Sequence, residues 1–209
     1  MLKNIREVKK QQTQQALATS AVELFLTGGE EAASVSAIAQ QAGFSTRTFH
    51  NYFSSRDEAL LEYLRGIFAH WKAQLDALDD SGHTDAHNQC QVIGSTPGAV
   101  VQSLIYDSLL HAEKSAAPVS HIIVLADYLL ARSDGEVQEE LYSLIDSLAG
   151  ALTTQFPTLS LLQARVKVLS GFSVGRIAYE TARRGGGDVN DPTQMKALLD
   201  EGFAALQPW

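Results

Sequence analysis

The sequence predicts an all-α protein, and three observations carry that reading. Apolar residues recur at the three- and four-residue spacing of a single helix face along most of the chain. Residues that start helices stand ahead of many of these stripes, and glycine or proline interrupts them. No segment alternates apolar and polar residues with the period of a strand. Roughly nine helices follow, with the organisation of a helical bundle.

The first helix is expected from about Asn4 to Leu26, where Leu17, Ala21, Leu24 and Phe25 form one stripe and Gly28-Gly29 ends it. A short second helix begins after Ser34 as N-cap, turns Val35, Ile38, Ala39 and Ala42 inward and closes at Gly43. The third runs from Ser45 through Tyr52, with Phe49 and Phe53 as a core pair. Ser55 and Glu58 form a capping box for a long amphipathic fourth helix, about 55–78. Residues 79–96 are polar and read as a connection. Thr96-Pro97 and Pro118 each open a further helix, and Ser133 with Glu136 caps the next. Pro157 breaks that pattern. Ser160 with Gln163 then caps a helix reaching about Arg184, and Asp191-Pro192 starts the last one.

Composition narrows the function classes. The chain has 209 residues, 45% of them hydrophobic and 19% charged, a globular balance. The single cysteine, Cys90, cannot form an internal disulfide, which fits a reducing cytoplasm. No signal-peptide pattern occupies Leu2–Gln15, and no apolar run is long enough for a membrane span. The net charge is −8, unevenly placed. Residues 1–65 carry seven lysines and arginines against seven carboxylates, so the whole acidic excess lies downstream. Any contact with a polyanion is thereby directed to the N-terminal third.

That third holds the informative segment. Two short helices joined by a tight glycine turn, residues 34–52, have the layout of a helix-turn-helix, whose second helix enters the major groove. The third helix places Thr46, Arg47, His50, Asn51 and Tyr52 around the apolar edge of Phe49 and Phe53. Arginine can donate two hydrogen bonds to guanine and asparagine can read adenine, while hydroxyl and imidazole groups suit phosphate. Arg56, at the start of the fourth helix, is a natural phosphate anchor.

Residues 34–61 resemble the DNA-binding signature of the TetR family of bacterial transcriptional regulators. The resemblance rests on V-x-x-I-A-x-x-A-G at 35–43, on Ser45, Thr48-Phe49 and Tyr52-Phe53, and on the start of the next helix. It implies that Thr46 and Arg47 face bases. It also implies that Thr48, His50, Asn51 and Tyr52 meet phosphate or bases, and that Arg56 is the basic anchor. Ser34 and Ser36 complete this DNA-facing set. Ser36 stands where many members carry a base-reading arginine, and His50 replaces a frequent tyrosine, which makes its contact a candidate for pH sensitivity. The implied architecture has two parts. An N-terminal three-helix DNA-binding domain, 1–53, precedes a larger helical ligand-binding and dimerisation domain, 54–209, with the fourth helix linking them.

The resemblance further implies a homodimer on a palindromic operator, released by a small-molecule inducer. The helices at about 136–155 and 160–184 would pair with their copies through Leu141, Leu148, Ser170, Gly171, Val174 and Gly175, with Ser173 in the same small-residue patch. Trp71, Tyr106, His111, His121 and Tyr128 join apolar bodies to polar tips and are candidates to line an inducer site. No catalytic residue, cofactor or metal is assigned. His83, His87 and Cys90 are ligand-competent but lack a standard spacing. A solvated connection, a metal site and a thiol sensor all stay open there. The competing classes are a helical enzyme, for which no catalytic signature is found, and a protein-interaction module.

Overall fold

A computed structural model describes residues 2–77, 96–110, 119–132, 135–189 and 191–206. Among the described residues the chain is all-α, with nine helices and no strand. They are α1 (Leu2–Ala32), α2 (Val35–Gln41), α3 (Thr46–His50), α4 (Arg56–Asp76), α5 (Pro97–Leu110), α6 (Val119–Arg132), α7 (Gly135–Gln155), α8 (Leu161–Arg184) and α9 (Pro192–Ala204).

Local signals set most boundaries. Ser34 accepts from the Ala37 amide at 3.3 Å and Ser45 from the Thr48 amide at 3.1 Å, each satisfying an orphan donor of the helix it precedes. Ser160 and Gln163 form a complete capping box, with the two bonds at 3.2 and 2.9 Å. At α4 the box is divided: Ser55 caps the Glu58 amide, but the Glu58 carboxylate reaches back to the amide and hydroxyl of Ser54. The expected stop at Gly28-Gly29 is a break, not an end. Gly28 (φ −140°) and Gly29 (φ 68°) leave helical geometry, and the chain then makes one further turn to Ala32.

The residues group into two units. One comprises 1–66 together with 124–140, and the other comprises 67–123 together with 141–209. The grouping differs from the sequence division at residue 53, because the first turns of α4 and residues 124–140 both pack with the N-terminal helices.

In the first unit, Leu17, Ala21 and Val22 of α1 are buried together with Ile38 and Ala39 of α2. Phe49, Phe53 and the α4 side chains Leu60, Leu61 and Leu64 are buried as well. Phe49 and Phe53 lie 5.5 Å apart between ring centroids. Each large side chain so buried contributes about 1.5–3 kcal/mol relative to exposure. Leu125 and Leu129 of α6 are also buried.

In the second unit, α8 packs against α5 and α9, and α5 also meets α9. Val174, Ala178 and Ala182 of α8 form a core with Ile105, Met195, Leu199 and Phe203. A Cβ on Gly171 would stand 2.6 Å from Val101 Cγ1, so the absence of a side chain there permits the close approach of α5 and α8. Leu141 (1% exposed) and Leu148 (3%) are core residues of the protomer, as are Gly171, Val174 and Gly175. Of the small-residue patch, Gly171 and Gly175 are buried in the protomer, Ser170 is half-buried and Ser173 is exposed.

No helix among the described residues is long and apolar enough to cross a membrane.

Candidate nucleic-acid interface

The surface of α3 is built from its buried edge outward. Phe49 is fully buried and Phe53 nearly so, which fixes the rotation of this short helix. With that edge inward, Thr46, Arg47, His50 and Asn51 are exposed, and Thr48 and Tyr52 are half-buried. Asn51 is the C-cap, so the helix ends two residues earlier than its sequence pattern predicts. The Ser45 and Thr48 hydroxyls are 2.9 Å apart, tying the start of α3 to its first turn. The His50 ring meets Phe49 edge-on at 5.6 Å between centroids.

The turn between α2 and α3 is set by Gly43, whose φ of +77° is the left-handed conformation that side chains disfavour. Its amide bonds to the Gln40 carbonyl at 3.1 Å and that of Phe44 to the Ala39 carbonyl at 2.8 Å. Gln41 donates to Glu23 of α1 at 2.7 Å, bracing the first helix of the motif. Ser34 and Ser36 are exposed at the start of α2, with their hydroxyls 3.2 Å apart. The arrangement presents one arginine, one asparagine, one histidine and several hydroxyls on a single rigid face.

Arg56 stands apart from this set. Its guanidinium donates to the Glu30 carboxylate at 2.8 Å, to the Glu30 carbonyl at 3.2 Å, to Asp57 at 3.2 Å and to the Tyr128 hydroxyl. The same guanidinium lies 5.6 Å from the centre of the Tyr128 ring. Tyr128 in turn donates to Glu30 at 2.7 Å and packs on Phe25 at 4.5 Å, and Arg132 reaches Glu30 at 3.1 Å. Burial works against the Arg56 charge, but Tyr128, Asp57 and Glu30 outweigh it and raise its pKa. Hydrogen bonding by Tyr128, followed by the charges of Arg56 and Arg132, lowers that of Glu30. A phosphate contact by Arg56 therefore requires giving up bonds it already makes. A second tie of the same unit joins Arg65 to Glu140 through two bonds, at 2.5 and 2.6 Å.

The candidate inducer-site residues that are described each have their own surroundings. Tyr128 belongs to the first unit, in the cluster just described. Trp71 is 2% exposed and stacks on Phe172 with centroids 5.5 Å apart. Tyr106 is half-buried, stacked on Phe203 and bonded to Asp200, and burial followed by that bond pushes its pKa up to about 12. His121 is half-buried. His111 lies outside the described residues, as do His83, His87 and Cys90.

Three features of the structure have no counterpart in the sequence expectations. The first is the Glu30–Arg56–Tyr128 cluster. The second is Gln74, which is buried with neither side-chain polar atom hydrogen-bonded. The third is a row of exposed apolar residues on α8: Leu162 (71% exposed), Val166, Leu169 and Ile177 (59%). Their spacing was readable, since α8 carries this stripe in addition to the buried one through Ala164, Val168 and Gly171.

Comparison with known proteins agrees with this geometry. Residues 17–63 match the model of the bacterial regulatory proteins of the tetR family. A transcriptional regulator from Rhodococcus sp. Rha1 superimposes with a TM-score of 0.62 at 17% identity, covering 93% of this chain and 96% of that one. The fatty acid degradation regulator FadR from Bacillus halodurans gives 0.61 at 13% identity, with 93% and 96% covered. A tetR-family transcription regulator from Shewanella sp. PV-4 gives 0.55 at 14%, with 92% and 97% covered. At such identities the likeness is one of fold. Among curated proteins, none matches by sequence.

Proposed function

We propose, from the premise that residues 17–63 are a TetR-family DNA-binding domain, that this chain is a sequence-specific transcriptional repressor released from a palindromic operator by a small molecule. One observation carries the DNA side: Thr46, Arg47, His50 and Asn51 are exposed on one helix whose opposite edge is locked by buried Phe49. Arg47 and Asn51 supply the base-reading chemistry. Thr46 joins them at the bases, and the hydroxyls of Thr48, Tyr52, Ser34 and Ser36 supply phosphate contacts that set register.

A single five-residue helix reads few base pairs, so useful specificity calls for two heads on one site. The exposed apolar stripe of α8 supports a two-fold dimer, since an isologous interface needs one self-complementary patch. Release follows if a ligand binds better to a form of the dimer whose heads are wrongly spaced for adjacent major grooves. The reading assigns no reaction to the chain.

Selection of bound sequences from a random duplex pool tests the proposal, with Arg47→Ala run alongside. The expected result is a palindrome whose preference at one base per half-site weakens about tenfold to a hundredfold in the variant. Folded protein that enriches no sequence would overturn the reading.

A further inference from the structure

The family match begins at residue 17, but α1 starts at Leu2. Residues 5–12 are exposed throughout, whereas Leu17 and Ala21 are fully buried. Helix rise carries Lys10 about 10 Å and Arg6 about 16 Å beyond Leu17. Charge separates this stretch from the rest of the chain. Residues 2–12 hold Lys3, Arg6, Lys9 and Lys10 against one carboxylate, Glu7, in a chain whose net charge is −8. Arg56, Arg65, Arg132 and Arg165 are each held by a carboxylate. Among the described residues, no ion pair engages Arg6, Lys9 or Lys10. Their placement is also one-sided. Arg6, Lys10 and Thr13 precede Leu17 and Ala21 at steps of three and four residues, so they continue the stripe that α1 turns to the core of its own unit. Arg6, Lys9 and Lys10 fall within about 100° of the helix circumference, and Glu7 lies about 100° from Arg6.

We infer that Arg6, Lys9 and Lys10 form a second DNA-contacting surface, which grips the phosphates of the duplex flanking the site read by α3. The inference deepens the DNA-binding reading above and rests on it. The surface belongs to the same unit as α3, so both act on one duplex. Duplex DNA carries one charge per about 1.7 Å of its axis, and a cationic face of this reach meets several phosphates. Lysine and arginine neutralise phosphate without reading sequence, so the surface adds affinity and salt dependence but no base preference. An anionic membrane fits less well. The described apolar side chains of the stretch are Ile5 and Val8, too few to seat a helix in a bilayer interface.

Binding isotherms over a salt series, on two duplexes centred on the selected palindrome, test this with the intact protein. One duplex ends at the palindrome, and the other carries about eight further base pairs on each side, more than α1 can span. The wild type is expected to bind the longer duplex about tenfold more tightly near physiological salt. In the Arg6→Gln, Lys9→Gln, Lys10→Gln triple variant that gain should vanish. Its salt slope on the longer duplex should fall by about two to three units per reading head, while the sequence recovered by selection stays the same. The three side chains are exposed, so the variant should keep the wild-type Tm. Arg6→Lys, and separately the Ile5→Gln, Val8→Gln pair, should each retain the flank gain. A gain that survives in the triple variant, or a loss shared equally by both duplexes, would overturn the assignment. So would a gain lost with Ile5 and Val8, or a triple variant whose one defect is in binding anionic vesicles. Failure of the wild type to bind either duplex counts against the regulator reading, whereas palindrome binding with no flank gain counts against this surface alone.

Discussion

Arg56 has chemistry suited to phosphate and, in the fold, partners that already engage it. Read along the chain, it is a cation at the start of a helix beside the reading head. In the fold its guanidinium is engaged by Glu30, Asp57 and Tyr128 and is only 22% exposed. A residue that neutralises a phosphate reduces the salt dependence of DNA binding by about one unit when removed. Arg56→Ala is therefore expected to leave the salt slope near the wild-type value while lowering stability by about 1 kcal/mol, since the partners are partly solvated. Binding isotherms over a salt series, with Arg47→Ala as the control, check this. A slope reduced by about one would make Arg56 a phosphate anchor after all.

This cluster and the Arg65–Glu140 tie together fix an acid response. Glu30 and Glu140 are both held below the ordinary value of 4.5, Glu30 foremost by the Tyr128 hydroxyl and Glu140 foremost by Arg65. For carboxyls depressed in the folded state, the stabilisation is fully present above the ordinary pKa and is lost as pH falls through the folded one. Stability should thus decline below about pH 4.5, and the Glu30→Gln, Glu140→Gln double variant should show a shallower decline. Urea unfolding at a series of pH values measures the slope; parallel curves would remove these two carboxyls from the acid response.

At the scale of elements, two glycines do different work. Gly43 turns α2 into α3 with a φ of +77°, and open space surrounds the position of its missing Cβ. Gly43→Ala thus meets only a conformational cost, about 1–2 kcal/mol, seen as a lower Tm. Gly171 has ordinary helical geometry, but a Cβ there would stand 2.6 Å from Val101 Cγ1. Gly171→Ala should cost about 1–3 kcal/mol through overpacking, and adding Val101→Ala should recover part of that loss. Failure of the second substitution to rescue the first would show that the helices do not meet through this pair. The elements themselves were largely legible because caps and periodicity act within a few residues. Ser34, Ser45 and Ser160 each bond the amide three residues ahead, and that partner is specified by position alone. The path of α1 past Gly29 was not legible, because whether a helix resumes after a glycine break depends on what its next turn packs against.

For the whole molecule, the question is which faces remain to meet a second copy. Leu162 and Ile177 are exposed well beyond half, so replacing both with glutamate should leave the protomer folded. Sedimentation is expected to show a dimer for the wild type and a monomer for this variant, with unchanged helical content by circular dichroism and weakened operator binding. A dimer that persists would move the interface away from this stripe.

The sequence by itself determined the all-α class, the helix order, and the short helix with Phe49 inward and Thr46, Arg47, His50 and Asn51 outward. All of these depend on interactions among residues close in the chain, where spacing dictates geometry. Tertiary structure alone decided that Arg56 and Glu30 meet Tyr128, 72 and 98 residues further along. It also decided that Leu141 and Leu148 fill the protomer core and not its surface, and that Gln74 is enclosed without a partner. A helix with two apolar faces does not say which face the protomer uses, and a lone glutamine does not say whether water reaches it. Those outcomes depend on which distant segments arrive beside them, and close packing settles that for the chain as a whole.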